Sequence, residues 1–140
     1  MVYAVEKRDE AVDLINKNAI RFHLDNIKTV SGSAPQVLEE LPAPTHVFVG
    51  GSSGNIKEII RTVIRKNPHA VIAATAVSLE AISELTTCVN DMKFEFHVTA
   101  VNVSRDRKAG EYHIMSAQNP IYIFCIRACK AADSFCEALF

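Results

Sequence analysis

The sequence contains no run of about 18 apolar residues, the length a membrane-crossing helix needs. Charge of one sign is equally scarce. The 140 residues carry a net charge of −1, so no strongly basic or acidic surface argues for nucleic acid or membrane as a partner. The four cysteines, Cys88, Cys125, Cys129 and Cys136, form no C-x-x-C pair, and core or incidental thiols fit them better than metal ligands. No G-x-G-x-x-G occurs, and no Gly-Lys-Ser/Thr follows the glycines near position 50, which excludes a P-loop and the usual dinucleotide fingerprint. There is no internal repeat or low-complexity tract. The opening Met1–Glu6 is too short and too quickly charged for a secretory signal, so a reducing cytoplasm is the expected location.

What remains is ordinary for one globular domain: 49% hydrophobic and 22% charged residues in a chain long enough to bury a core. The pattern along it alternates strand and helix. Val2–Val5 reads as a buried strand ending on Glu6, and Asp9 stands where it can cap a helix carrying Ala11, Leu14, Ile15, Ala19 and Phe22. Ile27–Val30 is a second strand, followed by a small-residue turn at Gly32-Ser33-Ala34, a short helix over Gln36–Glu40, and a third strand, His46–Val49. Asn55 and Glu58 have capping-box spacing ahead of the stripe Ile56, Ile59, Ile60, Val63 and Ile64. Ala70–Ala74 is a fourth strand. Ser78 caps a helix with Leu79, Ile82, Leu85 and Val89 on one face.

The rhythm then changes. Phe94, Phe96, Val98 and Ala100 alternate before the parity shifts to Val101 and Val103, which predicts a bulge. A polar loop is expected from Ser104 to Gly110, and a last strand over Ile121–Ile126. Two long strands with no helix between them imply an antiparallel pair at the end of an otherwise parallel sheet. The expected fold class is therefore α/β, a Rossmann-like, mostly parallel sheet with an antiparallel last strand. Residues 1–128 form the domain and 129–140 a tail, in which Ala131–Phe140 reads as a terminal helix or equally as a frayed end.

In such sheets ligands sit beyond the carboxyl ends of the strands. Glu6 there can accept hydrogen bonds from ribose hydroxyls, although a solvated glutamate would read the same way. Gly32-Ser33-Ala34 lets a flat ring approach the backbone, and so would a plain turn. Gly50-Gly51 and Gly54-Asn55 combine close approach with a helix N-terminus. Arg105, Arg107 and Lys108 are natural carboxylate clamps, or a solvated hairpin tip.

These blocks together resemble the decarboxylating precorrin-6Y methyltransferases of corrin biosynthesis. The resemblance runs through Val2-Tyr3-Ala4-Val5-Glu6, Val47-Phe48-Val49-Gly50-Gly51 with Gly54-Asn55, Ala76-Val77-Ser78-Leu79-Glu80, and Ser104-Arg105 with Lys108, Gly110 and Tyr112. It closes on Gln118-Asn119-Pro120-Ile121-Tyr122-Ile123. It implies an S-adenosylmethionine-dependent methyltransferase fold, S-adenosylmethionine as methyl donor, a tetrapyrrole (precorrin) acceptor and a homo-oligomer. It also implies a cofactor-binding set of Glu6, Lys7, Ser33, Ala34, Gly50 and Gly51, with Glu6 on the ribose and Ser33-Ala34 along the adenine. Gly54, Asn55, Arg105 and Lys108 would bind the acceptor, the two cations gripping its carboxylates. No catalytic acid or base and no metal is implied. Ser33 stands where aspartate is common in the family, and Thr75 where asparagine is expected. The family's opening strand and glycine-rich turn have no counterpart before Val2, so a fold lacking the first strand, and donor binding that is weak or absent, are expected. The alternative is a non-catalytic interaction module that keeps the fold.

Overall fold

The structure, a computed structural model, describes residues 1–51 and 54–128. The expected tail helix, Cys129, Cys136 and the Ser52-Ser53 pair lie outside the described residues. The elements follow in the order β1 (Val2–Glu6), α1 (Asp9–Arg21), β2 (Ile27–Ser31), a 3-10 turn at Gln36–Glu39, β3 (His46–Val49), α2 (Ile56–Lys66) and β4 (Val71–Ala76). They continue with α3 (Leu79–Asp91), β5 (Glu95–Val101), β6 (Ser104–Ala109), β7 (Tyr112–Ala117) and β8 (Ile121–Arg127). Among the described residues no helix is long and apolar enough to cross a membrane.

The α/β class holds, but the sheet comes in separate pieces. β1 and β2 pair in parallel, while β3, β4, β8 and β5 form a four-stranded sheet in that order. β8 lies antiparallel between β4 and β5, as the two closing strands implied. β6 and β7 form a third sheet of their own, an antiparallel ribbon.

The core lies between the four-stranded sheet and the helices α2 and α3. Alternation in β4 turns Ile72, Ala74 and Ala76 to the same side as Phe124 and Ile126 of β8, and the small alanines let the helices approach closely. From α2 come Ile56, Ile59, Ile60 and Val63, the stripe read from the sequence. Each such side chain fully buried is worth roughly 1.5–3 kcal/mol. Phe96 stacks on Phe124 with ring centroids 6.1 Å apart. The two helices are also tied by Lys57 Nζ to Asp91 at 3.0 Å.

Several local expectations are corrected. Arg8, not Asp9, is the residue before α1, and Asp9 is already helical, so its carboxylate acts on the helix dipole and not as a cap. Asn55 does precede α2 but makes no capping bond, and Glu58 turns away to Arg61 at 2.8 Å, so the capping box does not form. Ser78 caps α3 as expected, its Oγ accepting from Ala81 N at 3.2 Å. Leu79, expected on the buried face of α3, is 80% exposed in its first turn, while Leu85 and Val89 farther along are buried. No residue of α1 is buried, since that helix packs on two strands alone. β5 runs in unbroken register with β8 from Glu95 to Val101, with no bulge. The apparent parity shift marks the end of β5. The expected polar loop after it is strand β6, turning at Gly110 (φ 66°) into β7.

Candidate functional site at the strand ends

β1 ends on Glu6, whose carboxylate folds back over the turn that follows. Oε1 accepts the backbone N–H groups of Lys7 and Arg8, each at 3.0 Å, and the Arg8 guanidinium Nε at 3.4 Å. The Arg8 backbone N–H, more than the guanidinium, holds the Glu6 carboxyl below its ordinary value, so the group is a fixed anion. Oε2 takes no part in these bonds. Arg8 was not anticipated as a site residue, although its place two residues after Glu6 was the available signal.

β2 hands over to Gly32, whose N–H donates to the Glu6 carbonyl at 3.0 Å. Gly32 has φ 146°, and a Cβ there would lie 2.3 Å from Val37 Cγ1, so the turn carrying Ser33 and Ala34 depends on glycine. β3 ends at Val49-Gly50-Gly51. A Cβ on Gly50 would meet the Phe48 ring at 3.2 Å, whereas Gly51 has open space around it. Thr75, near the end of β4, reaches back with its Oγ1 to the Val49 carbonyl at 3.5 Å.

These ends share one cavity of about 1360 Å³. Glu6, Lys7, Ser33, Ala34, Gly50 and Gly51 all line it, so the six residues expected around a nucleotide-like cofactor are brought together. The cavity continues downward between β1 and β3, with Leu38, Ile59 and Val63 on its wall.

The four expected acceptor residues are not brought together. Gly54 and Asn55 line a smaller cleft of about 430 Å³ with Ser83, Glu84, Thr87 and Cys88, at the start of α2. Arg105 and Lys108 lie on β6, and neither lines either cavity. They stand three residues apart on a strand, so they occupy opposite faces of the ribbon and cannot grip one carboxylate as a pair. Arg105 and Arg107 share a face with Tyr112 and Ile114. Lys108 shares the other with Asp106 and His113, which pair at 2.9 Å.

The family model described as a precorrin methyltransferase domain matches residues 1–128. The chain belongs to that family. Among its relatives is a protein of Pyrobaculum calidifontis named a probable cobalt-precorrin-6B C(15)-methyltransferase (decarboxylating), 35% identical over 123 residues, covering 87% of this chain and 63% of the relative. The solved structure of a precorrin-6y C5,15-methyltransferase from Geobacter metallireducens superposes with a TM-score of 0.78 at 33% identity, covering 89% of this chain and 64% of that one. A precorrin 8w decarboxylase from Methanobacterium thermoautotrophicum superposes at 0.79 with 32% identity, over 89% and 68% of the two chains. The chain thus spans a little under two thirds of the length of the curated relatives it matches. Its fold is the Rossmann-like one of S-adenosylmethionine-dependent methyltransferases.

Proposed function

We propose that residues 1–128 are the methyltransferase domain of an enzyme that methylates a precorrin with coupled decarboxylation in cobalamin biosynthesis, with 129–140 as a tail. The observation that carries this reading is the convergence of Glu6, Lys7, Ser33, Ala34, Gly50 and Gly51 on one cavity at the strand ends of a family member. The cavity suits S-adenosylmethionine chemically. A fixed carboxylate meets a diol, a glycine-dependent turn admits a flat ring, and Gly51 leaves open backbone.

When bound, S-adenosylmethionine supplies an electrophilic sulfonium methyl group. The chain's own residues do the holding. Glu6 accepts hydrogen bonds from the ribose hydroxyls through Oε2 while Oε1 anchors the turn. Ser33 and Ala34 lie along the adenine, and Lys7 contributes its backbone N–H to fixing Glu6. Gly50 and Gly51 leave room for the acceptor carbon to approach in line, so the rate advantage comes from alignment. Gly54, Asn55 and the N-terminus of α2 favour an anionic arm of the acceptor. Arg105 and Lys108, on their separate faces, attract its carboxylates individually. The exposed ribbon, with Tyr112 77% and Met115 68% accessible, is the proposed surface of homo-oligomer assembly. The free thiols of Cys88 and Cys125 suit a reducing, cytoplasmic setting.

Incubation with methyl-labelled S-adenosylmethionine and a metal-free or cobalt-bearing precorrin tests the reading. Labelled tetrapyrrole with matching release of carbon dioxide is expected. Tetrapyrrole bound but never labelled would instead favour the second reading, a non-catalytic interaction module, for which the divided sheet speaks.

A further inference from the structure

The two inner strands of the four-stranded sheet, β4 and β8, are sealed on one face only. Ile72, Ala74, Ala76, Phe124 and Ile126 are 2% exposed or less under α2 and α3. Their alternates, Val71, Ala73 and Thr75 of β4 with Ile123, Cys125 and Arg127 of β8, are half-buried and point the opposite way. Register extends this second face to Phe48 of β3, beside Ala73, and to Thr99 and Val101 of β5, beside Ile123 and Ile121. An inner strand closed by helices on both faces would be buried throughout. Among the described residues no helix lies on this second face: α2 and α3 occupy the other, and α1 packs on β1 and β2.

The open face has the relief of a trough. Ala73, Thr75 and Cys125 are small side chains along its middle, and Phe48 stands 71% exposed at one side. Where β8 runs out, Arg127 Nε is buried and has no hydrogen-bond partner among the described residues. The strand-end cavity reaches the same face, with Phe48, Val71 and Ala73 in its lining. Residues 129–140 follow β8 directly, beyond the stretch that the family model matches. In them Ala131, Ala132, Phe135, Cys136, Leu139 and Phe140 recur at helical spacing, with Asp133, Ser134 and Glu137 between.

We propose that residues 131–140 form an amphipathic helix that folds back antiparallel to β8 and covers the open face. The lengths agree. Residues 128–130 span up to about 10 Å, enough to lift the chain from the sheet to a helix axis above it. From there the helix advances about 1.5 Å per residue, against about 3.3 Å per residue along β8. Phe135 and Cys136 therefore come level with Cys125, and Leu139 and Phe140 with Ile123. Asp133, in the first turn and at the border of the apolar arc, supplies the acceptor that Arg127 Nε lacks. Covalent attachment favours this occupant over a second copy, because it holds the segment at the face at an effective concentration on the order of millimolar. The covering also walls the strand-end cavity at Val71 and Ala73.

The test uses the full 140-residue chain carrying Cys129→Ser. It needs neither donor nor tetrapyrrole, so its outcome is separate from that of the enzymatic reading. A short bis-maleimide should join Cys125 to Cys136 within one chain, as located by peptide mapping. Alkylation of Cys125 by iodoacetamide should be faster by about tenfold or more in the Phe135→Asp, Leu139→Asp double variant, which removes the apolar side of the segment. Glu137→Gln, on the polar side, should leave that rate at the parent value. No link between Cys125 and Cys136, a link formed only between chains, which would make a second copy the occupant, or an unchanged Cys125 rate in the double variant would each overturn the proposal. Should the double variant fail to fold, the link in the parent chain decides alone.

Discussion

The Glu6 carboxylate accepts the Arg8 backbone N–H at 3.0 Å, a contact that fixes an anion in the lining of the strand-end cavity. Because the folded pKa lies below the ordinary carboxylate value, this turn contributes its stability fully above the unfolded pKa. That contribution is lost only as pH falls through the lower folded value. Carboxyl-carbon NMR should therefore show Glu6 titrating below 4.5, the value of the free group. Titration at or above 4.5 would contradict a fixed anion.

The two helix starts make a paired prediction. Ser78→Ala removes a formed cap and should cost about 0.5–2 kcal/mol in urea unfolding. Asn55→Ala removes no capping bond, so it should cost clearly less. Equal losses would mean that Asn55 caps α2 after all.

Cys88 is 1% exposed between α2, α3 and the sheet, and burial pushes its thiol up. Its neutral form is favoured in the fold, so the associated stability is complete below the unfolded thiol's pKa and declines as pH rises through the higher folded one. Peptide mapping after iodoacetamide treatment at pH about 8 should find Cys88 unmodified in the folded chain and modified in denaturant. Rapid native labelling would place it in an accessible site.

The ribbon of β6 and β7 carries Tyr112 and Ile114 on one exposed face. Light scattering should give a mass that rises above the 15.4 kDa of one chain with concentration, and Ile114→Lys should suppress the rise. A mass fixed at one chain would remove the ribbon as an assembly surface.

Particular residues show how far the sequence could be read. The α2 stripe, the small-residue strand β4 and the antiparallel β8 follow from periodicity, since each buries one definite face. Strand β6 does not, because Ser-Arg-Asp-Arg-Lys-Ala is exposed on both faces and has no apolar alternation. Missing that strand concealed that Arg105 and Lys108 point opposite ways. The residues lining the strand-end cavity, Glu6, Ser33-Ala34 and Gly50-Gly51, were legible because each lies at or just after a strand end, and strand ends in this architecture converge on one rim. Arg8 and Phe48 were missed because one acts through its backbone and the other is an apolar side chain left exposed. The gap between β1 and β3 could be anticipated only through family resemblance, since it is a property of pairing and not of any local segment.

The proposed methyl-donor site is the place where Glu6, Ser33-Ala34 and Gly50-Gly51 meet. The most direct test is a backbone NMR titration of the chain with S-adenosylmethionine, repeated on Glu6→Ala. The expected result is weak binding with shifts gathered at 6–8, 32–34 and 50–51, and an affinity lowered by about tenfold or more in the variant. Shifts confined to the ribbon or the α2–α3 cleft, no shifts at all, or an unchanged affinity in Glu6→Ala would contradict it.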